Sequence, residues 1–148
     1  MPDEDTVFAG IEAEINNEER PKIYRESLAH LVSGKNVVFQ GPPGTGKTRA
    51  ARLLSRWVCG DDSFTLITAH AELTRYDLVG GYAPDSDGGF TTQLGPLAEV
   101  AHRCQEGLRS DGRPAWLIID ELNRANLDQS FGEIFTLLDP DYRDTIVD

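Results

Sequence analysis

The sequence predicts an α/β domain on a mostly parallel sheet, and three observations predict it. Apolar, β-branched runs of strand length alternate with amphipathic helical stretches. Glycine- and proline-rich segments fall between them, where the chain must turn. The run Trp116-Leu117-Ile118-Ile119 is apolar throughout, as a strand covered on both faces requires. At 148 residues, 39% hydrophobic and 26% charged, the chain suits one globular domain and not a disordered or fibrous one.

Residues 1–20 read as a polar, acid-rich lead-in with a short helix near Phe8–Ile15. Pro21 can open a helix, because its missing N–H falls where no helical partner exists. Ile23, Tyr24, Leu28, Leu31 and Val32 recur at helical spacing until Ser33-Gly34 ends the segment. Asn36–Gln40 is a short apolar run that reads as a buried strand. Gly41–Gly46 is a loop. Lys47–Cys59 is a helix with Ala50, Leu53, Leu54, Trp57 and Val58 on one side and Gly60 just past its end.

Phe64–Thr68 reads as a second strand and Glu72–Leu78 as a helical turn broken by Gly80-Gly81. Tyr82–Thr92 reads as a hairpin around Asp85-Ser86-Asp87-Gly88-Gly89, with Tyr82 and Phe90 packed across it. Pro96–Leu108 is a helix, Ala115–Ile119 a third strand, and Leu127–Leu138 a helix with Phe131, Ile134, Phe135 and Leu138 inward.

The formal net charge is −11, from 14 basic and 25 acidic residues. With no Lys/Arg stripe, this balance argues against nucleic acid held by the segment itself. No apolar run approaches the length that spans a bilayer. The acidic opening is no secretory signal, so a cytoplasmic location is expected. His30, His70 and His102 stand at no metal-ligand spacing to one another or to Cys59 and Cys104, and nothing calls for a disulfide.

Two segments carry chemistry. Gly41-Pro42-Pro43-Gly44-Thr45-Gly46-Lys47-Thr48 matches the pattern of a loop that cradles nucleotide phosphates. Its glycines let successive N–H groups converge on anionic oxygens, and the helix behind adds its positive end. Lys47 is expected on the β- and γ-phosphates and the Thr48 hydroxyl on Mg²⁺. Arg49 is counted with the loop, while Arg52 and Arg56 read as solvated or ion-paired. Asp120-Glu121 then ends an apolar strand, where ligands sit in open α/β sheets. Asp120 would serve the Mg²⁺ and Glu121 would polarise the attacking water.

With these motifs the sequence resembles the AAA+ ATPases, and within them the dynein-related group of MoxR-type, midasin-type and McrB-type proteins. The resemblance rests on residues 38–48, Asp77-Leu78-Val79-Gly80-Gly81-Tyr82, Gly95-Pro96-Leu97, and Ile119-Asp120-Glu121-Leu122-Asn123-Arg124-Ala125-Asn126. It implies a P-loop NTPase three-layer sandwich and a homo-oligomeric ring that turns hydrolysis of ATP, or alternatively GTP, into movement of a partner. It places the hairpin near a ring pore, with Tyr82 and Phe90 lining that pore as the alternative to packing across the hairpin, and Asn123 and Arg124 beside the nucleotide and the subunit boundary. A helix-start pairing of Arg124 with Asp128 is the alternative. Residues 21–148 are then expected to be the N-terminal part of an AAA+ core, without the sensor strand, arginine finger and lid. Two other functions stay open: a GTP-hydrolysing McrB-type motor of a DNA restriction system, and a nucleotide-binding interaction module without turnover of its own.

Overall fold

The chain folds earlier than its polar opening suggests. The structure, a computed structural model, describes residues 3–14, 21–110, 112–132 and 134. Two compact units emerge, Met1–Phe64 with Cys104–Trp116, and Thr65–Arg103 with Leu117–Asp148.

In the first unit, α1 (Glu4–Glu14), α2 (Pro21–Val32) and α3 (Lys47–Cys59) pack on one another. Asp3 caps α1 by accepting from the N–H and hydroxyl of Thr6, each at 3.2 Å. Val7, Phe8 and Ile11 lie on one helical face and are buried with Tyr24 and Leu28 of α2 and Ala50, Leu53, Leu54 and Val58 of α3. The expected helix is shorter, and its last residue, Ile15, lies outside the described residues. Gly10 permits the close approach of α1, because a Cβ there would enter the Trp57 ring. Glu14 joins the two helices: its carboxylate accepts from Arg56 Nη1 and Trp57 Nε1, each at 3.1 Å. Trp57 therefore sits half-buried at the core edge, and Cys59 fills the interior.

Residues 36–40 are the main correction. The expected strand does not form; among the described residues the segment has no strand pairing, and Val38 is 76% exposed. A strand exists through its hydrogen-bonded ladder, and an apolar run without a neighbour remains an extended segment. Phe39 nevertheless packs against the first core.

The strand β1 (Phe64–Thr68) pairs with β4 (Trp116–Asp120). The Trp116 N–H donates to Ser63 O at 3.2 Å and the Ala69 N–H to Asp120 O at 2.8 Å, so the partners rise together and the pair is parallel. The α/β class and the parallel pairing are as the sequence predicts.

In the second unit, α4 (Arg75–Val79) opens on a capping box. The Asp77 N–H donates to the Thr74 hydroxyl at 3.3 Å, and Asp77 Oδ2 accepts from the Thr74 N–H at 2.8 Å. Next, β2 (Gly80–Pro84) and β3 (Phe90–Leu94) form an antiparallel hairpin in register from Gly80 opposite Leu94 to Pro84 opposite Phe90. Helix α5 (Pro96–Ser110) runs two residues past its expected end.

The second core gathers Ala69, Leu73, Leu78, Phe131 and Ile134. Helix α6 (Leu127–Phe131) starts on the Asn126 cap and buries Ser130, whose hydroxyl donates to Leu73 O at 2.6 Å. Phe131 and Ile134 are inward as expected; Phe135 and Leu138 lie outside the described residues.

Candidate functional site

The glycine-rich loop of the first unit has the backbone its motif demands. Gly44 (φ 77°) and Gly46 (φ 81°) take left-handed conformations that L side chains rarely adopt. Nothing lies within 4 Å of where a Cβ would stand at either position, so the space beside the loop is open to a ligand. Gly46 is also the N-cap of α3, and with no side chain it caps nothing. The first turn of α3 carries no acidic residue, so the helix itself sets no negative side chain against an anion at its positive end.

Lys47 folds back over this loop. Its ammonium donates to Gly41 O at 3.0 Å and Pro42 O at 2.8 Å, and the Thr45 hydroxyl donates to Pro42 O at 2.9 Å. These bonds brace the Gly41-Pro42-Pro43 arm and keep a positive charge at the loop mouth. Thr48 and Arg49 follow in the first turn of α3. Arg56 is ion-paired to Glu14 and Asp61, the second of the two arrangements expected for it.

The acidic pair of the second unit ends β4. Asp120 is half-buried as the last strand residue, and its Oδ1 accepts from the Glu121 N–H at 2.9 Å. Glu121 has φ 54° and ψ 34°, the only non-glycine residue with positive φ among the described residues. Such a conformation is costly for an L-residue and tends to mark functional sites. A 3₁₀ turn over Leu122–Arg124 follows at once, so Glu121, Asn123 and Arg124 are exposed in one tight bend. Arg124 Nε lies 3.4 Å from Glu121 Oε2, so its ion-pair partner is Glu121 and not Asp128. Sequence reasoning missed this pair and the left-handed Glu121. The i,i+3 spacing of the charges was the only available signal.

The hairpin corrects another expectation. Tyr82 faces Thr92 and Phe90 faces Pro84, so the aromatics do not pair, and each is 76% exposed. The glycines around them are structural. A Cβ on Gly80 would strike the Gln93 backbone, one on Gly95 the Leu78 carbonyl, and one on Gly81 the Tyr76 ring. The Gly95 N–H donates to Val79 O at 2.9 Å, closing the hairpin onto α4. The two motif stretches, residues 77–82 and 95–97, are therefore one folded element.

The thiols are both free. Cys59 is buried, and burial together with nearby Cys104 pushes its pKa up to about 12. His30, His70 and His102 are exposed. No described helix is long and apolar enough to cross a membrane.

The sequence pattern of the AAA domain (dynein-related subfamily) matches residues 36–146, which takes in the glycine-rich loop, the hairpin and the acidic turn. The chain belongs to the dynein-related AAA family. This AAA chain is 34% identical over 119 residues to the type IV methyl-directed restriction enzyme EcoKMcrB subunit of Escherichia coli (strain K12), covering 78% of the chain and 25% of that protein. It is 31% identical over 113 residues to the putative 26S proteasome regulatory subunit homolog MJ1494 of Methanocaldococcus jannaschii, covering 76% of the chain and 24% of that protein. It thus spans about a quarter of the length of these relatives.

Proposed function

We propose that the chain binds a nucleoside triphosphate, ATP in the first instance, with Mg²⁺ and hydrolyses it as one module of a cytoplasmic ring that moves or remodels a partner. The observation that carries this reading is the phosphate loop: two left-handed glycines with open space beside them, an uncapped helix start without acidic residues, and the Lys47 ammonium at the mouth. Such a loop binds polyphosphate because convergent N–H groups and the helix end replace the water that an anion loses.

Gly41, Pro42, Pro43, Gly44, Thr45 and Gly46 would shape the cradle, Lys47 would neutralise the β- and γ-phosphate oxygens, and Arg49 would sit at its rim. The Thr48 hydroxyl and the Asp120 carboxylate would hold Mg²⁺, which would supply positive charge to offset that of the phosphates. Glu121 would accept a proton from the attacking water as the bond from the γ-phosphorus to the bridging oxygen breaks. Asn123 and Arg124 complete the site beside it.

The test is a titration of fluorescent ATP and GTP analogues with Mg²⁺ against the wild type, Lys47→Ala and Glu121→Gln. Lys47→Ala should abolish binding, whereas Glu121→Gln should bind normally and lose turnover. Tight binding by Lys47→Ala would defeat the loop assignment, and unchanged turnover in Glu121→Gln would defeat that of Glu121. Binding without turnover by the wild type would favour an interaction module.

A second reading has its own support in the 34% identity to the restriction-enzyme subunit. On that reading the chain is part of a GTP-hydrolysing motor in a DNA restriction system, and a clear GTP preference in the titration would select it. The net charge of −11 argues that other segments would contact the DNA.

A further inference from the structure

The bend after β4 holds Glu121 from three sides. Its N–H donates to Asp120 Oδ1 at 2.9 Å, its carbonyl accepts from the Arg124 N–H at 2.8 Å, and its Oε2 lies 3.4 Å from Arg124 Nε. The left-handed backbone makes this closure possible, because it turns the chain out of the strand so that residues 121 and 124 share one 3₁₀ turn. Among the described residues the other carboxylate oxygen, Oε1, has no hydrogen bond.

An exposed i,i+3 ion pair contributes little to stability, and these side chains are 49% and 65% exposed. Stability therefore gives a weak reason for bending a non-glycine residue into the left-handed region. We infer that Arg124 is a positioning residue: its guanidinium fixes one oxygen of Glu121 and leaves the other to take the proton of the attacking water. This rests on the proposed role of Glu121. It assigns Arg124 a task carried out through Glu121 within one chain, in place of direct contact with nucleotide.

The experiment compares steady-state hydrolysis and nucleotide affinity in Arg124→Ala and Arg124→Lys, together with the arginine Nε–Hε spectrum of the wild type and Glu121→Gln. In Arg124→Ala, kcat should fall roughly two- to fivefold, the range an exposed pair can supply, with KM and affinity unchanged. Arg124→Lys should recover most of the loss. The Arg124 Nε–Hε signal should shift when Glu121 becomes Gln. Unchanged kcat, a parallel loss of affinity, a lysine variant no better than alanine, or an unmoved signal would each overturn the inference. Wild-type turnover in Glu121→Gln would instead remove the reading beneath it, and the persisting spectral shift would tell that failure from absence of the pair.

Discussion

Gly46 illustrates what a single residue decides in this protein. Its φ of 81° is cheap for glycine and costs an L-residue about 1–2 kcal/mol, yet nothing stands near the missing Cβ. Gly46→Ala should therefore fold with a modest loss of stability and bind nucleotide much more weakly, because the methyl group enters the cradle. Thermal unfolding alongside a binding titration would check this; equal affinity in the two proteins would mean that phosphate does not approach Gly46. Cys59 gives a prediction of another kind. Its folded pKa of about 12 lies above the ordinary 9.0, so its contribution to stability is fully present below pH 9.0 and is lost as the pH rises towards 12. Denaturant unfolding across that window should show wild type losing more stability than Cys59→Ala. At neutral pH a thiol reagent should modify the half-exposed Cys104 while Cys59 stays protected.

At the scale of elements, α4 and the hairpin depend on local chemistry. The Thr74 hydroxyl and N–H hold the Asp77 carboxyl below the usual carboxylate range. A depressed folded pKa gives stability that is present above the ordinary carboxylate value of 3.8 and is lost as the pH falls through the lower folded value. Thr74→Ala should therefore be less stable than wild type at pH 7, and the difference should shrink as the pH falls below 3.8. A difference that stays constant with pH would mean that the charge on Asp77 plays no part. The hairpin turn and a helical turn ahead of it were legible in sequence, because such signals act over a few residues. Helix α4 nevertheless starts at Arg75 and not at the expected Glu72, since the Thr74–Asp77 capping box, which the sequence reading did not use, sets its start. The closure of β3 onto α4 was not legible. It depends on backbone contacts between residues 78–80 and 93–95, which give Gly80 and Gly95 their purpose only once the hairpin has folded back.

Over the whole molecule, each unit has a core of its own. Leu54 is 1% exposed at the centre of the first, and Leu54→Ala should cost about 2–5 kcal/mol, read as a lower denaturant midpoint. A cost below about 1 kcal/mol would mean that α1 and α3 do not pack in solution as described. What the sequence determined by itself is the α/β alternation, the glycine-rich loop with its following helix, and the acidic strand end. Each is written in patterns a few residues long, where spacing, glycine content and helical period act directly. Tertiary structure decided the rest. Val7, Phe8 and Ile11 became core because α2 and α3 offered an apolar face to an otherwise polar segment. Residues 36–40, apolar enough for a strand, have no ladder partner among the described residues, and no local pattern supplies one. Arg124 paired with Glu121 instead of Asp128 because a left-handed residue bent the chain where a helix start was expected. Local patterns fix what a segment can become, and the neighbours that take up its hydrogen bonds and cover its apolar face fix what it does become.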